Sequence, residues 1–295
     1  MRKPCSALLL AWLPIVSCVG CSSTGSDDGA GEVVPPPPPP INVVVVADLS
    51  DRIATPEQVV RDTAIIRIVG EVFKEHCRQV GYLFSRDRLR FQGVRTTLLD
   101  NDIAIDVGYL NAKNERVVER IDPELTRFRR DCALSYAPQG SYAGADLWGY
   151  FKNDLGAVLE REDVLNRVIV LTDGYINFNG EIQAHRPVNT QMRIGELRGK
   201  RDWERVFESY ALAGVGRRFA NTELLVLEIA PKGAVQSVHE YDILKRYWTA
   251  WADSMGIAMG PDDRNIYTNS LQLSAIRQKV TEFLRNGPSL DGVPR

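Results

Sequence analysis

The sequence predicts an α/β fold: a doubly wound, mostly parallel central sheet with helices on both faces. Strand-like and helix-like segments alternate along most of the chain, the pattern of βα units. Three runs, "NVVVVAD" (Asn42 to Asp48), "NRVIVLTDG" (Asn166 to Gly174) and "TELLVLEIAP" (Thr222 to Pro231), each hold an unbroken stretch of at least four apolar residues. Alternation would mark a half-exposed strand, whereas a continuous run marks one covered on both faces. At 295 residues the chain can bury a substantial core.

The elements follow in order. After the first strand, Thr55 stands as N-cap, Pro56 at the first helical position and Glu57 as a first-turn acid, opening a helix through Cys77. Val60, Ala64, Ile68 and Val72 are expected on its buried face. Asp87 to Val94 and Asp102 to Gly108 read as shorter strands, and Glu115 to Ala133 and Asp146 to Glu160 as helices flanking the loop "SYAPQGSYAGA". Beyond the second buried strand comes a long irregular segment, Tyr175 to Arg201, then a helix around Trp203 to Leu212. The third buried strand is followed by a helix from Ser237 to Gly256, a short strand at Arg264 to Asn269 and a last helix from Leu271 to Asn286. Trp148, Trp248 and Trp251 sit within helical patterns and are assigned to the core.

Residues 1–20 stand apart. Arg2 and Lys3 precede an apolar run, Ala7 to Val16, that is too short to span a bilayer comfortably. This is the pattern of an export signal. Its end, "IVSCVGCSST", resembles the lipobox of bacterial lipoproteins, which implies lipidation at Cys21, with Cys18 as the alternative. The expected location is the bacterial cell envelope, on the inner or outer membrane. Residues 21–41 contain small polar residues and then six prolines. At about 3.1 Å per residue the prolines give a semi-rigid spacer of roughly 19 Å that holds the domain, residues 42–286, off the lipid; residues 287–295 form a tail. Cys77 and Cys132 are the cysteines of the domain, either paired in an oxidising envelope or buried as thiols. A formal net charge of -2 gives no general attraction to nucleic acid, which is set aside as a partner.

In a doubly wound sheet, ligands gather beyond the carboxyl ends of the strands. Asp48 ends the first strand and Asp173 the strand "VIVLTDG", so both carboxylates belong to one rim with Ser50 close by. An oxygen-only cluster suits Mg²⁺ or Mn²⁺ better than zinc. With "DLSDR" and "LTDG" the chain, over about Asn42 to Asn286, resembles a von Willebrand factor type A (VWA) domain. That family's metal-ion-dependent adhesion site uses Asp-x-Ser-x-Ser after the first strand, a threonine from a later loop and an Asp, often followed by Gly, after the fourth. Its divalent ion keeps a position open, commonly for an acidic group of the protein partner.

Residue by residue the resemblance is partial. Asp48, Ser50 and Asp173 match, Arg52 stands in place of the second serine, and Ala145 in place of the threonine; Ser141 and Asp146 are the substitutes within reach in sequence. A guanidinium about 4 Å from a metal opposes it by roughly 4 kcal/mol per metal charge at an effective dielectric of 20. Arg52 is therefore expected to neutralise Asp48 or Asp173 in a degenerate site, or to swing outward while Asp51 or Asp146 completes a non-standard one. The implied function is an envelope-anchored protein-binding module, adhesive or scaffolding, for another envelope or surface protein. Arg52, Arg198, Lys200 and Arg201 are its expected partner contacts, the last three lying in a basic stretch suited to an acidic partner or lipid headgroups. The competing reading is a metal-dependent phosphoesterase using Asp48 and Asp173. Haloacid-dehalogenase-like enzymes carry Asp-x-Asp at this place, and here the second Asp is Ser50, so the general acid is missing. No nucleophile elbow, zinc-protease motif or phosphate loop is present, so an enzyme is the less favoured class.

Overall fold

A computed structural model describes residues 39–95, 103–113, 116–137, 144–160, 163–178, 189–232, 239–260 and 265–285. Cys18, Cys21, Ser141 and most of the tether and the tail lie outside these residues.

The centre is a six-stranded sheet: β1 (Ile41–Asp48), β2 (Arg88–Val94), β3 (Ile103–Asp106), β4 (Leu165–Leu171), β5 (Thr222–Ile229) and β6 (Ile266–Thr268), in the order β3-β2-β1-β4-β5-β6. All neighbours are parallel except β2 and β3. The antiparallel edge is in keeping with a mostly parallel sheet: β3 runs straight into α2 (Val107–Ala112), whose first turn is capped by Asp106 accepting from Tyr109 N at 2.8 Å.

All eight residues of β1 are buried because successive side chains enter different layers. Val43, Val45 and Ala47 pack into a layer with α1 (Pro56–Val80), α3 (Val117–Ser135) and α9 (Leu273–Arg285). Val44 and Val46 enter the opposite layer, with α4 (Leu147–Asn153) and α8 (Glu240–Ser254). Each fully buried valine contributes on the order of 1.5–3 kcal/mol, which makes the sheet centre the most strongly held part of the fold. Trp148, Trp248 and Trp251 are buried in the second layer.

Local departures have physical reasons. Val60 is exposed, because a four-residue spacing advances 40° per step and carries the start of α1 off the stripe formed by Ile65, Ile66 and Val69. The stretch expected as one helix from Asp146 to Glu160 is two, α4 and α5 (Leu155–Val158), which meet at Asp154. The irregular connection after β4 contains a short helix, α6 (Ile194–Leu197), and α7 (Trp203–Val206) follows. Cys77 and Cys132 are free thiols buried in the first layer. Among the described residues no helix is long and apolar enough to cross a membrane.

Candidate functional site

The connections from β1 and β4 leave toward opposite sides of the sheet, so the carboxyl ends of these adjacent strands frame its switch-point crevice. Asp48 is the last residue of β1. Its Oδ1 accepts from Ser50 N at 3.0 Å and its Oδ2 from the Thr172 hydroxyl at 2.7 Å. Thr172 Oγ1 in turn accepts from Gly174 N at 3.1 Å. Asp173 Oδ1 accepts from Tyr175 N at 3.1 Å, while its Oδ2 lies 2.7 Å from Lys232 Nζ. The turn is pinned on both sides: Asp173 O accepts from Ala230 N, and Gly174 O from Trp248 Nε1, each at 2.9 Å. Gly174 is required there, since its φ is 100° and a Cβ would stand 2.6 Å from Ile229 Cδ1.

The crevice thus gathers Asp48, Ser50 and Asp173 as the sequence predicts. Asp48 is 2% exposed. Burial first, and the Asp173 charge second, push its carboxyl up to about 6, against the opposing influence of Arg52, Thr172 and Ser50.

Arg52 departs from both expectations. It neither pairs with the carboxylate of Asp48 or Asp173 nor swings outward; its side chain is 4% exposed and turns beneath the crevice. Nη1 donates to the Asp48 main-chain carbonyl at 3.1 Å, and Nη1 and Nη2 fork onto Asp62 at 2.7 and 2.9 Å. Asp62, on α1, also accepts from Gln58 Nε2 at 2.8 Å and the Tyr136 hydroxyl at 3.0 Å. Gln58 reaches on to Glu228 at 3.3 Å, whose carboxylate is gripped by Arg61. Burial works against the Arg52 charge, but Asp62 outweighs it and drives the guanidinium pKa upward. A buried carboxylate without a partner is far costlier than a forked ion pair, which is why Arg52 points inward. The sequence reading missed Asp62. The signal was its position on the apolar stripe of α1, three and four residues before Ile65 and Ile66.

Lys232 is the second residue missed. It lies three residues beyond β5, and its main-chain N donates to the Tyr175 hydroxyl at 2.9 Å while Nζ stands 5.1 Å from the centre of that ring. Tyr175 donates onward to the buried Glu240 carboxylate. Burial opposes the Lys232 charge, and the hydrogen bond and charge of Asp173, then Asp51 and Asp48, raise its pKa. The available sequence signal was a lysine just past a central strand, on the rim that carries both aspartates.

Asp146 caps α4, accepting from Gly149 N at 2.9 Å, while its own N donates to Arg95 O at 3.1 Å. Arg198, Lys200 and Arg201 are exposed. Arg198 Nη1 lies 3.8 Å from Glu240 Oε2, and Lys200 Nζ lies 5.6 Å from the Tyr210 ring centre. Arg198 and Lys232 border a cavity of about 370 Å³ with Tyr175, Met192 and Glu240.

A hard divalent ion asks for about six oxygen ligands. Here Asp48 and Asp173 bring carboxylates whose oxygens are already hydrogen-bonded, one of them to an ammonium. Ala145 brings no side-chain oxygen, and among the described residues no group of three or more His, Cys, Asp or Glu side chains is placed to hold a metal. As arranged, the donor set does not fit such an ion.

Fold and crevice together define a doubly wound α/β protein with two buried carboxylates at its switch point, one of them paired with a lysine. No protein-family profile and no curated protein matches the chain. Among solved structures it is similar to the conserved hypothetical protein BatB from Bacteroides thetaiotaomicron, at 13% identity and a TM-score of 0.39, over 83% of this chain and 100% of that one. It is also similar to the pilus adhesin SpaC from Lactobacillus rhamnosus GG in its open conformation, at 10% identity and a TM-score of 0.40, over 83% of this chain. The match spans 29% of that adhesin. Likenesses of this degree assign no family.

Proposed function

We propose that the chain is an envelope-anchored, VWA-like protein-binding module, adhesive or scaffolding, in which divalent metal binding is weak or lost. The observation that carries this reading is the switch-point crevice itself: all four carboxylate oxygens of Asp48 and Asp173 are already engaged, one of them by Lys232. The partner is another envelope or surface protein, met through the rim and through Arg198, Lys200 and Arg201. The anchor is a lipid on Cys21, or on Cys18, reached through the proline tether.

Calorimetric titration with Mg²⁺ and with Mn²⁺ tests the metal clause. No binding in the micromolar range is expected, and a micromolar affinity abolished by Asp48→Ala refutes it. Fatty-acid labelling of the full chain, lost in Cys21→Ser or in Cys18→Ser, tests the anchor. Charge reversal at Arg198, Lys200 and Arg201 is expected to weaken partner capture by cross-linking. The phosphoesterase reading has less support: Asp48, its expected nucleophile, is 2% exposed with both oxygens accepting hydrogen bonds. Metal-dependent hydrolysis of a phosphate ester, lost in Asp48→Asn, would restore it.

A further inference from the structure

We propose that the amino-terminal pole of the sheet, where the chain enters β1, is a docking face for an anionic lipid surface. Leu83 and Phe84 are its apolar wedge, and Arg217 and Arg218 its headgroup contacts. The inference rests on reading the chain as lipid-anchored upstream of β1.

The starts of β1, β2, β4 and β5 lie together at this pole, because Asn42 pairs with Arg88 and Asn166, and Asn166 with Thr222. The connection from α1 to β2, residues 81–87, therefore emerges beside the point of chain entry. Leu83 and Phe84 in this connection are 83% and 78% exposed, the most exposed large apolar side chains among the described residues. They are presented on a braced turn. Phe84 N and Ser85 N donate to Gly81 O at 3.0 and 3.2 Å, and Asn111 Nδ2 of α2 donates to Tyr82 O at 2.7 Å. Asp87 ties the turn to the entering chain, accepting from the Ser85 hydroxyl at 2.6 Å and from Ile41 N at 2.8 Å. A fixed, exposed apolar pair with polar surroundings marks a contact surface.

The charges of the pole favour lipid as the occupant. Its acids are already held in ion pairs, Glu75 with Arg78, Asp163 with Arg86 and Glu160 with Arg88. Arg217 and Arg218, just ahead of β5, are exposed and have no acidic partner among the described residues. Three strand spacings, roughly 14 Å, separate the starts of β2 and β5, so the wedge and the two guanidiniums fit beneath one small domain. Apolar side chains at the acyl boundary with cations at headgroup level are the pattern of a peripheral contact with an anionic bilayer. The tether joins the domain at this same pole, so an anchor on Cys21 or Cys18 draws this face, and no other, toward the lipid. The crevice at the carboxyl ends of the strands is then turned away from the membrane, toward a partner.

The test places a tryptophan reporter at each end of the full chain, Phe84→Trp at this pole and Val60→Trp at the exposed start of α1 beyond the carboxyl end of β1. Fluorescence, less that of the native chain, is read on vesicles with brominated acyl chains, of phosphatidylcholine alone or mixed with phosphatidylglycerol. Phe84→Trp is expected to be quenched on the mixed vesicles and Val60→Trp to be unchanged. Vesicles of phosphatidylcholine alone, Leu83→Ser, or Arg217→Gln with Arg218→Gln are each expected to remove the quenching. A Phe84→Trp reporter silent on the mixed vesicles overturns the inference. So does equal quenching of Val60→Trp, or quenching that persists without the two arginines. Silence on vesicles with the reporter shielded instead in a cross-linked protein complex assigns the pole to a protein and likewise overturns it. Fatty-acid labelling of the same preparation reports the anchor separately. Quenching in an unlabelled chain refutes the anchor and keeps the docking face, and a labelled chain without quenching does the reverse.

Discussion

Replacing Arg52 with alanine leaves Asp62 charged at 0% side-chain exposure, with Gln58 and the Tyr136 hydroxyl as its remaining donors. Opposite unit charges about 4 Å apart attract by roughly 4 kcal/mol at an effective dielectric of 20, and removing one partner of a buried pair costs about 3–5 kcal/mol. Two neutral donors recover part of this, so the expected loss is near the lower end, about 3 kcal/mol. Urea unfolding followed by circular dichroism measures it as a lower midpoint at unchanged slope. Asp62→Asn added to Arg52→Ala removes the orphaned charge, keeps the Gln58 bond on its amide oxygen and turns its NH2 to donate to the Tyr136 hydroxyl, so the double variant should regain at least half of the loss. A single-variant loss below about 1 kcal/mol, or a double variant that merely sums the two singles, would refute the account of Arg52 as the counter-ion of Asp62.

Other outcomes follow from the same geometry. With its carboxyl pushed up from an ordinary 3.8 to about 6, Asp48 binds its proton in the folded state and releases it on unfolding between those pH values. This contribution is fully present below about pH 4 and is lost as pH rises through 6; Asp48→Asn in EDTA should therefore gain stability relative to the native chain over that interval, by about 3 kcal/mol. A difference independent of pH would refute it. Gly174→Ala should cost about 2 kcal/mol or more by thermal melting, since it adds a left-handed backbone penalty to a collision with Ile229; a neutral effect would count against a glycine requirement at this turn. Burial drives the Cys77 and Cys132 thiols upward in pKa, so peptide mapping after iodoacetamide should find both unmodified in the native chain and alkylated in urea. Rapid native alkylation of either would contradict the packing of the first layer.

The sheet centre was legible because the middles of β1 and β4, Val43 to Ala47 and Val168 to Leu171, are buried on both faces and apolar throughout. The paired aspartates were legible for a related reason: a carboxylate that interrupts such a run must sit where the strand leaves the core. The direction of β3 was not, since a four-residue alternating strand looks the same in either orientation. Val60 was misassigned because local spacing does not say where a helix overhangs the sheet.

The doubly wound α/β class, its buried strands and the rim on which Asp48 and Asp173 lie are all written in the order of residues along the chain. How the charges on that rim are balanced is settled by folding alone. Arg52 is ten residues from Asp62, and Lys232 is fifty-nine from Asp173, as the numbering gives; nothing in either local stretch ranks one acid above another as its partner. Folding sets Arg52 against Asp62 and Lys232 against Asp173, and each pair spares a buried carboxylate the cost of standing alone.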